Sequence, residues 1–149
     1  MYHYTLCGLS YVYLKNGYEI TNEDGEEYIS FHELKDLHRL IGKDIINQPK
    51  PMTGEQAKYL RVEMNCSQKQ VGNLLGVDAQ TVARWEKNTL EPVDRTVDTS
   101  LRALYAESID EESKTGFFLR LLADTDEKSI LETVELELEE KQQHWNKVA

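Results

Sequence analysis

The sequence predicts an α+β protein: a small N-terminal antiparallel sheet plus helix, then an all-α segment. Three observations carry this. Residues 2–31 are rich in β-branched and aromatic residues punctuated by turn dipeptides. From His32 onward apolar residues recur at helical spacing. Prolines at 49 and 51 then stop that helix before a second run of helical patterns begins.

The elements follow in order. Tyr2–Leu6 and Tyr11–Leu14 read as strands. Asn16-Gly17 is a hairpin signal, because both residues tolerate positive φ. Tyr18–Thr21 is then the returning strand, Asn22–Gly25 a second turn and Glu26–Phe31 a further strand, in one sheet of three or four strands. Leu34, Leu37, Ile41 and Ile45 share one helix face, with Ser30 as N-cap and Glu33 completing a capping box. The prolines end a first module at 1–48. In the second, 49–106, Thr53 caps a helix at about 54–64 with Gln56 at its third position. Ser67 caps one at about 68–75 with Gln70 in the same role, and Gly76 ends it. Asp78 caps the next, at about 79–87, and Pro92 precedes a helix at about 93–106 on which Val97, Leu101, Leu104 and Tyr105 share a face. Residues 107–149 read as an acidic helical extension of two helices. Phe117, Phe118, Leu121 and Leu122 cluster in the first, and Leu131, Val134, Leu138 and Trp145 form a stripe on the second, which Thr125 or Asp126 starts.

Composition bounds the function. A chain of 149 residues makes one domain with room for a small second module. Hydrophobic residues at 40% and charged residues at 30% are a soluble globular mixture. The longest uncharged apolar runs, such as Tyr11–Leu14, fall far short of the roughly 20 residues a membrane span needs. No basic stretch followed by an apolar run opens the chain, so the expected location is cytoplasmic, without a membrane partner. Cys7 and Cys66 make neither a disulfide framework nor a Cys-x-x-Cys site. The net charge of −10 divides as −3 over 1–50, zero over 51–106 and −7 over 107–149. Domains that bind nucleic acid are usually basic, so only the middle third escapes that objection.

The informative stretch is 65–88. Two capped helices flank Gly76-Val77-Asp78. A connection that short, with a glycine, sets two helices at about 90–120°, the helix-turn-helix angle. Val71, Leu74, Leu75, Val77, Val82 and Trp85 fall on the inward side, and Gly72 is small where the helices approach. The second helix presents Gln80, Thr81, Arg84 and Lys87 outward. Those types read a DNA groove: Gln pairs with adenine edges, Arg with guanine, and the Thr methyl meets the thymine methyl. A helical bundle with no DNA role has no need of that combination on one face.

From Thr53 to about Tyr105 the chain resembles the Xre/Cro/repressor class of helix-turn-helix proteins. Ser67-Gln68, Val71, Leu75-Gly76-Val77, Thr81-Val82 and Arg84-Trp85-Glu86-Lys87-Asn88 carry the resemblance. It implies that Gln68, with Lys69 beside it, meets a phosphate at the mouth of the second helix. It implies that Ala79, Gln80, Thr81 and Arg84 read bases and that Lys87 and Asn88 lie by the DNA backbone. It also implies that Arg61 pairs with Glu86 to brace the recognition helix. Most members carry glycine where Asn88 stands and a small residue such as alanine where Gly72 stands; Asn is the next best residue for a left-handed helix terminus. The partner implied is double-stranded operator DNA, bound by a homodimer whose recognition helices sit about 34–36 Å apart.

The first module is similar to the MqsA (YgiT-type) antitoxins, through Cys7-Gly8-Leu9, Val12-Tyr13-Leu14-Lys15-Asn16-Gly17-Tyr18, and Ile29-Ser30 with Leu34 and Leu37. That family holds zinc by two Cys-x-x-Cys pairs; here only Cys7 stands, so the module reads as zinc-free, with no cofactor. His3, Cys7, His32 and His38 are the remaining candidate ligands, and zinc needs four that converge at about 2.0–2.3 Å. Cys66 reads as a small hydrophobe. No Gly-x-Ser-x-Gly, Walker loop or His-Glu-x-x-His occurs, so no enzyme is expected. The sequence reads as a transcriptional repressor or antitoxin-like autoregulator that binds a palindromic operator as a dimer, through 107–149 or, where that apolar stripe packs on the helix at 93–106 instead, through the N-terminal sheet. The alternative is an interaction module that holds a toxin-like protein partner by its N-terminal sheet edge and acidic tail, with DNA binding secondary or lost.

Overall fold

In a computed structural model of the chain, residues 1–110, 136 and 138–147 are described. The N-terminal strands are β1 (Tyr2–His3), β2 (Tyr13–Leu14), β3 (Tyr18–Glu23) and β4 (Glu26–Phe31). They form two separate ribbons, β1 with β2 and β3 with β4, both antiparallel, in place of the single sheet expected. Asn16-Gly17 joins the ribbons without pairing β2 to β3, and the Gly17 carbonyl accepts the His32 N–H at 2.9 Å instead. The second turn forms as expected: Asp24 and Gly25 have φ of 51° and 81°, the pair of positive values that a two-residue hairpin turn requires. The ribbons meet through rings. Tyr2 lies 5.1 Å from Tyr18 and 5.9 Å from Phe31, and Tyr4 lies 4.9 Å from Phe31, centroid to centroid.

Five helices follow among the described residues: α1 (Leu34–Asn47), α2 (Gly54–Glu63), α3 (Gln68–Leu75), α4 (Ala79–Lys87) and α5 (Arg95–Ile109). Ser30 does not cap α1. It is paired with Glu19 in the β3–β4 ladder, and Glu33 is the residue that enters the helix, with φ 47° and no side-chain cap bond. Ladder bonds to a strand already in place outcompete a local cap. Both capping boxes expected further on are formed, Thr53 with Gln56 and Ser67 with Gln70. Asp78 accepts the Thr81 N–H at 2.7 Å, and Gly76 closes α3 in the left-handed conformation.

Leu9, Ile45, Met52, Leu60, Val71, Val82 and Leu101 are the largest fully buried side chains. They belong to one cluster, so residues on both sides of the prolines share a core. The proline segment is clamped to α5. Arg102 donates to the carbonyls of Ile46, Gln48 and Lys50, while Asp98 accepts the Met52 N–H at 2.9 Å. Where α2 begins, just after this segment, the packing on α4 is tighter still. A Cβ on Gly54 would collide with the carbonyl oxygens of Trp85 and Asn88.

The helix expected to carry Leu138 and Trp145 is not formed there. Leu138–Lys141 is a strand, β5, paired antiparallel with β6, His144–Lys147. The chain reverses at Gln142-Gln143, both with positive φ. Helix propensity in this glutamate-rich stretch is a weak prior of a few tenths of a kcal/mol per residue, roughly, and pairing overrides it. Leu138 and Trp145 still share a face, because Leu138 lies opposite Lys147 and Glu140 opposite Trp145. The rest of the expected extension, with Phe117, Phe118, Leu121, Leu122, Leu131 and Val134, lies outside the described residues.

Gly54→Ala should cost about 1–3 kcal/mol in urea denaturation, because the clash with two carbonyls exceeds the gain in helix propensity. An unchanged midpoint would show that the α2–α4 contact is slack. Stability should also fall at high pH. Burial raises the hydroxyl pKa of Tyr4, Tyr11, Tyr59 and Tyr105, and the nearby Glu63 carboxylate adds to this for Tyr4, Tyr59 and Tyr105. The unfolded chain releases these protons near pH 10 while the folded chain keeps them. The stabilisation is therefore whole below about pH 10 and lost as pH rises beyond it. Urea midpoints measured from pH 8 to 11 should show the fall, and Tyr59→Phe should make it shallower.

Candidate nucleic-acid interface

The α3–turn–α4 unit is built by local signals. Ser67 and Gln70 satisfy the first turn of α3, Gly76 reverses the chain, and the Val77 N–H returns to the Gly72 carbonyl at 2.9 Å. This turn lies so close to α3 that a Cβ on Gly72 would sit 2.5 Å from the Val77 oxygen. That is the reason for glycine here rather than the alanine of the resembling class.

α4 docks by Val82, 2% exposed, and by Glu86, while Trp85 is half-buried. Gln80, Arg84 and Lys87 are exposed, and their spacing of four and then three residues sets them on one face. Thr81 is half-buried at its margin, and Arg84 Nη2 donates to Thr81 Oγ1 at 3.3 Å. Asp78, Gln80, Thr81 and Arg84 line an open hollow. The hydrogen bonds from Thr81, and then the Arg84 cation, hold the Asp78 carboxyl below its usual pKa.

Behind this face the Arg61 and Glu86 side chains meet as the resemblance implied. Nε and Nη2 of Arg61 donate to the two carboxylate oxygens at 2.7 and 2.9 Å. The side chains are 14% and 7% exposed. Nη1 of Arg61 donates to the Cys66 carbonyl at 3.0 Å, and Gln68 Nε2 donates to Glu86 Oε1 at 3.2 Å. The sequence did not reveal this second job of Gln68, because nothing local to α3 marks a partner 18 residues away. One Nε2 hydrogen of Gln68 is not used by Glu86.

The remaining residues divide. Lys69 is exposed, and Ala79 is half-buried at the start of α4. Asn88 is exposed but not left-handed: its φ is −87° and ψ 67°. The chain leaves α4 into a loop tied to the start of α2, where Gly54 and Glu55 donate to the carbonyls of Glu91 and Thr89. That anchorage sets the exit direction without a positive φ.

The neutral sum over 51–106 is not a neutral surface. Glu55 is buried and accepts the Ser10 hydroxyl at 2.8 Å. Glu86 is paired with Arg61, Asp98 with Arg102 and Glu63 with His38, and Asp78 and Asp94 are helix caps. Lys58, Lys69, Arg84, Lys87 and Arg95 are all exposed. Of the seven acids only Glu91 is exposed with neither an ion pair nor a cap among the bonds just given, whereas most of the cations face solvent.

In the ribbons and α1 the four candidate metal ligands have different partners. His3 reaches the Ser10 carbonyl at 2.8 Å, the Cys7 thiol donates to the Tyr4 carbonyl, and His32 lies 3.4 Å from Glu19. His38 bridges the Tyr4 hydroxyl at 2.7 Å and Glu63 at 2.8 Å.

A helix-turn-helix family model matches residues 58–97, from α2 through α4 to the first turn of α5. No curated protein and no solved structure matches the chain. The match supports DNA binding by this unit. It does not reach the ribbons, so their likeness to the MqsA antitoxins draws no support from it.

Arg61→Ala should cost about 3–5 kcal/mol, since it strands the buried Glu86 charge. The loss should appear in denaturant unfolding before any DNA is added. A stability within about 0.5 kcal/mol of wild type would contradict a buried pair.

Proposed function

We propose that the protein is a sequence-specific DNA-binding regulator, a repressor or antitoxin-like autoregulator, that binds a palindromic operator as a dimer in the cytoplasm and performs no catalysis. The observation that carries this reading is the exposed face of Gln80, Arg84 and Lys87, with Thr81 at its edge, on a helix braced from behind by Arg61 and Glu86. Arg84 suits the O6 and N7 of guanine, Gln80 the N6 and N7 of adenine, and the Thr81 methyl a thymine. Ala79, small and at the start of the helix, lets it approach the base edges. Gln68, Lys69, Lys87 and Asn88 meet phosphates, which fix register and carry no sequence information.

One short recognition helix cannot bind tightly alone, so the reading includes a dimer held by residues 107–149. Leu136, Leu138 and Trp145 are 65%, 54% and 72% exposed, apolar surface that suits such a contact. Acidic tails that meet on the side away from DNA keep their charge beyond about 10 Å, where salt screens it.

Selection from random duplexes should yield a two-fold related site. Arg84→Ala should then cost about 1–3 kcal/mol at one base position and relax the preference there. Lys87→Ala should weaken binding to all sequences alike and lower the salt slope by about 1. Equal wild-type affinity for the selected and a scrambled duplex would end the sequence-reading claim. Truncation after Asp110, the residue that follows α5, should sediment as a monomer and bind the operator weakly. A truncated chain that remains a dimer would move the interface to the N-terminal ribbons or the helical core.

A further inference from the structure

Among the described residues the β3–β4 ribbon is a sheet fragment with no third strand. Its register runs unbroken from Tyr18↔Phe31 to Glu23↔Glu26, with no bulge, and no other described strand pairs with it. Free edges are usually guarded by charged side chains, above all lysine, by proline or by a bulge, and the charges on this ribbon are all acidic. Between residues 16 and 34 there is no lysine, arginine or proline.

The two faces of the ribbon differ. One carries Tyr18, Ile20 and Asn22 with Phe31, Ile29 and Glu27 opposite them. Its base is packed on the rings of Tyr2 and Tyr4, but Ile20, farther along, is 50% exposed. The other face carries Glu19, Thr21 and Glu23 with Ser30, Tyr28 and Glu26 opposite. Glu23 lies directly across from Glu26, and like charges so placed destabilise a strand pair. Tyr28, 50% exposed on the same face, donates to Glu26 at 2.8 Å.

We propose that the outer edge of β3 is a docking site for a basic, extended segment of a partner protein, which joins the ribbon as a third strand. The backbone groups of the edge supply the ladder. The alternation of faces sets the partner's pattern: lysine or arginine over Glu19, Glu23 and Glu26, and valine or isoleucine beside Ile20. A cation from the partner relieves the repulsion between Glu23 and Glu26. Charge decides among occupants. A second copy of this chain would bring an equally acidic ribbon, and DNA would bring phosphate; both are repelled. The site is independent of the α4 surface and of the DNA-binding reading.

The test uses the full chain and a fluorescein-labelled nine-residue peptide that alternates lysine with valine and isoleucine. Two controls are a peptide of the same composition with its lysines grouped, and the alternating peptide with every second amide N-methylated. Anisotropy at 150 mM salt should show at least tenfold tighter binding of the alternating peptide than of either control. The double variant Glu19→Gln/Glu23→Gln should lose about tenfold, with operator affinity unchanged. Amide NMR shifts should centre on Thr21 and its neighbours in β3. No binding, equal binding of the grouped or N-methylated peptide, or indifference to the glutamate substitutions would overturn the proposal. So would a rise in self-association when the two glutamates are neutralised, which would make the occupant a second copy.

Discussion

The placement of the exposed Gln80, Arg84 and Lys87 face of α4 rests on one interaction, the two-pronged contact between Arg61 and Glu86. Removing both charges from water is costly, and an apolar pair of similar size can serve stability as well. What an apolar pair lacks is direction. A guanidinium and a carboxylate joined by parallel hydrogen bonds fix distance and angle together. Here the geometry also captures the Cys66 carbonyl and the Gln68 amide, so α2, the loop after it, α3 and α4 are tied at one point. Arg84, two residues before Glu86 and on the opposite side of the helix, inherits its position from that knot.

The same economy of charge organises the rest of the middle segment. Most of its acids lie inside or at helix ends: Glu55 on Ser10, Asp98 on Arg102 and the Met52 amide, Asp78 and Asp94 on the first turns of α4 and α5. Opposite charges that cancel in the total are separated in space. A chain with a net charge of −10 thereby keeps a helix whose exposed side carries cations.

The N-terminal ribbons are joined to this framework by packing and by polar contacts. Leu9 and Ile45 enter the common core, Tyr4 and Tyr59 both bond to His38, and Ser10 reaches Glu55 on α2. α1 crosses α5 where Gly42 leaves room for the Tyr105 ring; a Cβ there would overlap its hydroxyl. The proline segment between α1 and α2 is held by Arg102 along its length, and so acts as a fixed corner.

Wherever the deciding contacts lie within three or four residues, the sequence determined the outcome by itself. Thr53 with Gln56, Ser67 with Gln70, Asp78 with Thr81, Gly76 and Asp24-Gly25 each act on a backbone group in their own turn, and their elements stand where those signals put them. The Arg61–Glu86 pairing was legible only through the resemblance. Tertiary structure decided what depends on a choice among distant partners. Ser30 could cap a helix or join a ladder, and Glu19 made it a strand residue. Asn16-Gly17 could close a hairpin, but the rings of Tyr2, Tyr18 and Phe31 set the strands as two ribbons. Leu138 and Trp145 satisfy a helical period and a strand pairing equally, and only the partner strand distinguishes them. Gln68 was readable as a surface residue until α4 brought Glu86 within 3.2 Å of it. A cap is settled within its own turn, whereas a ladder or a buried ion pair forms only between segments that the fold has already brought together.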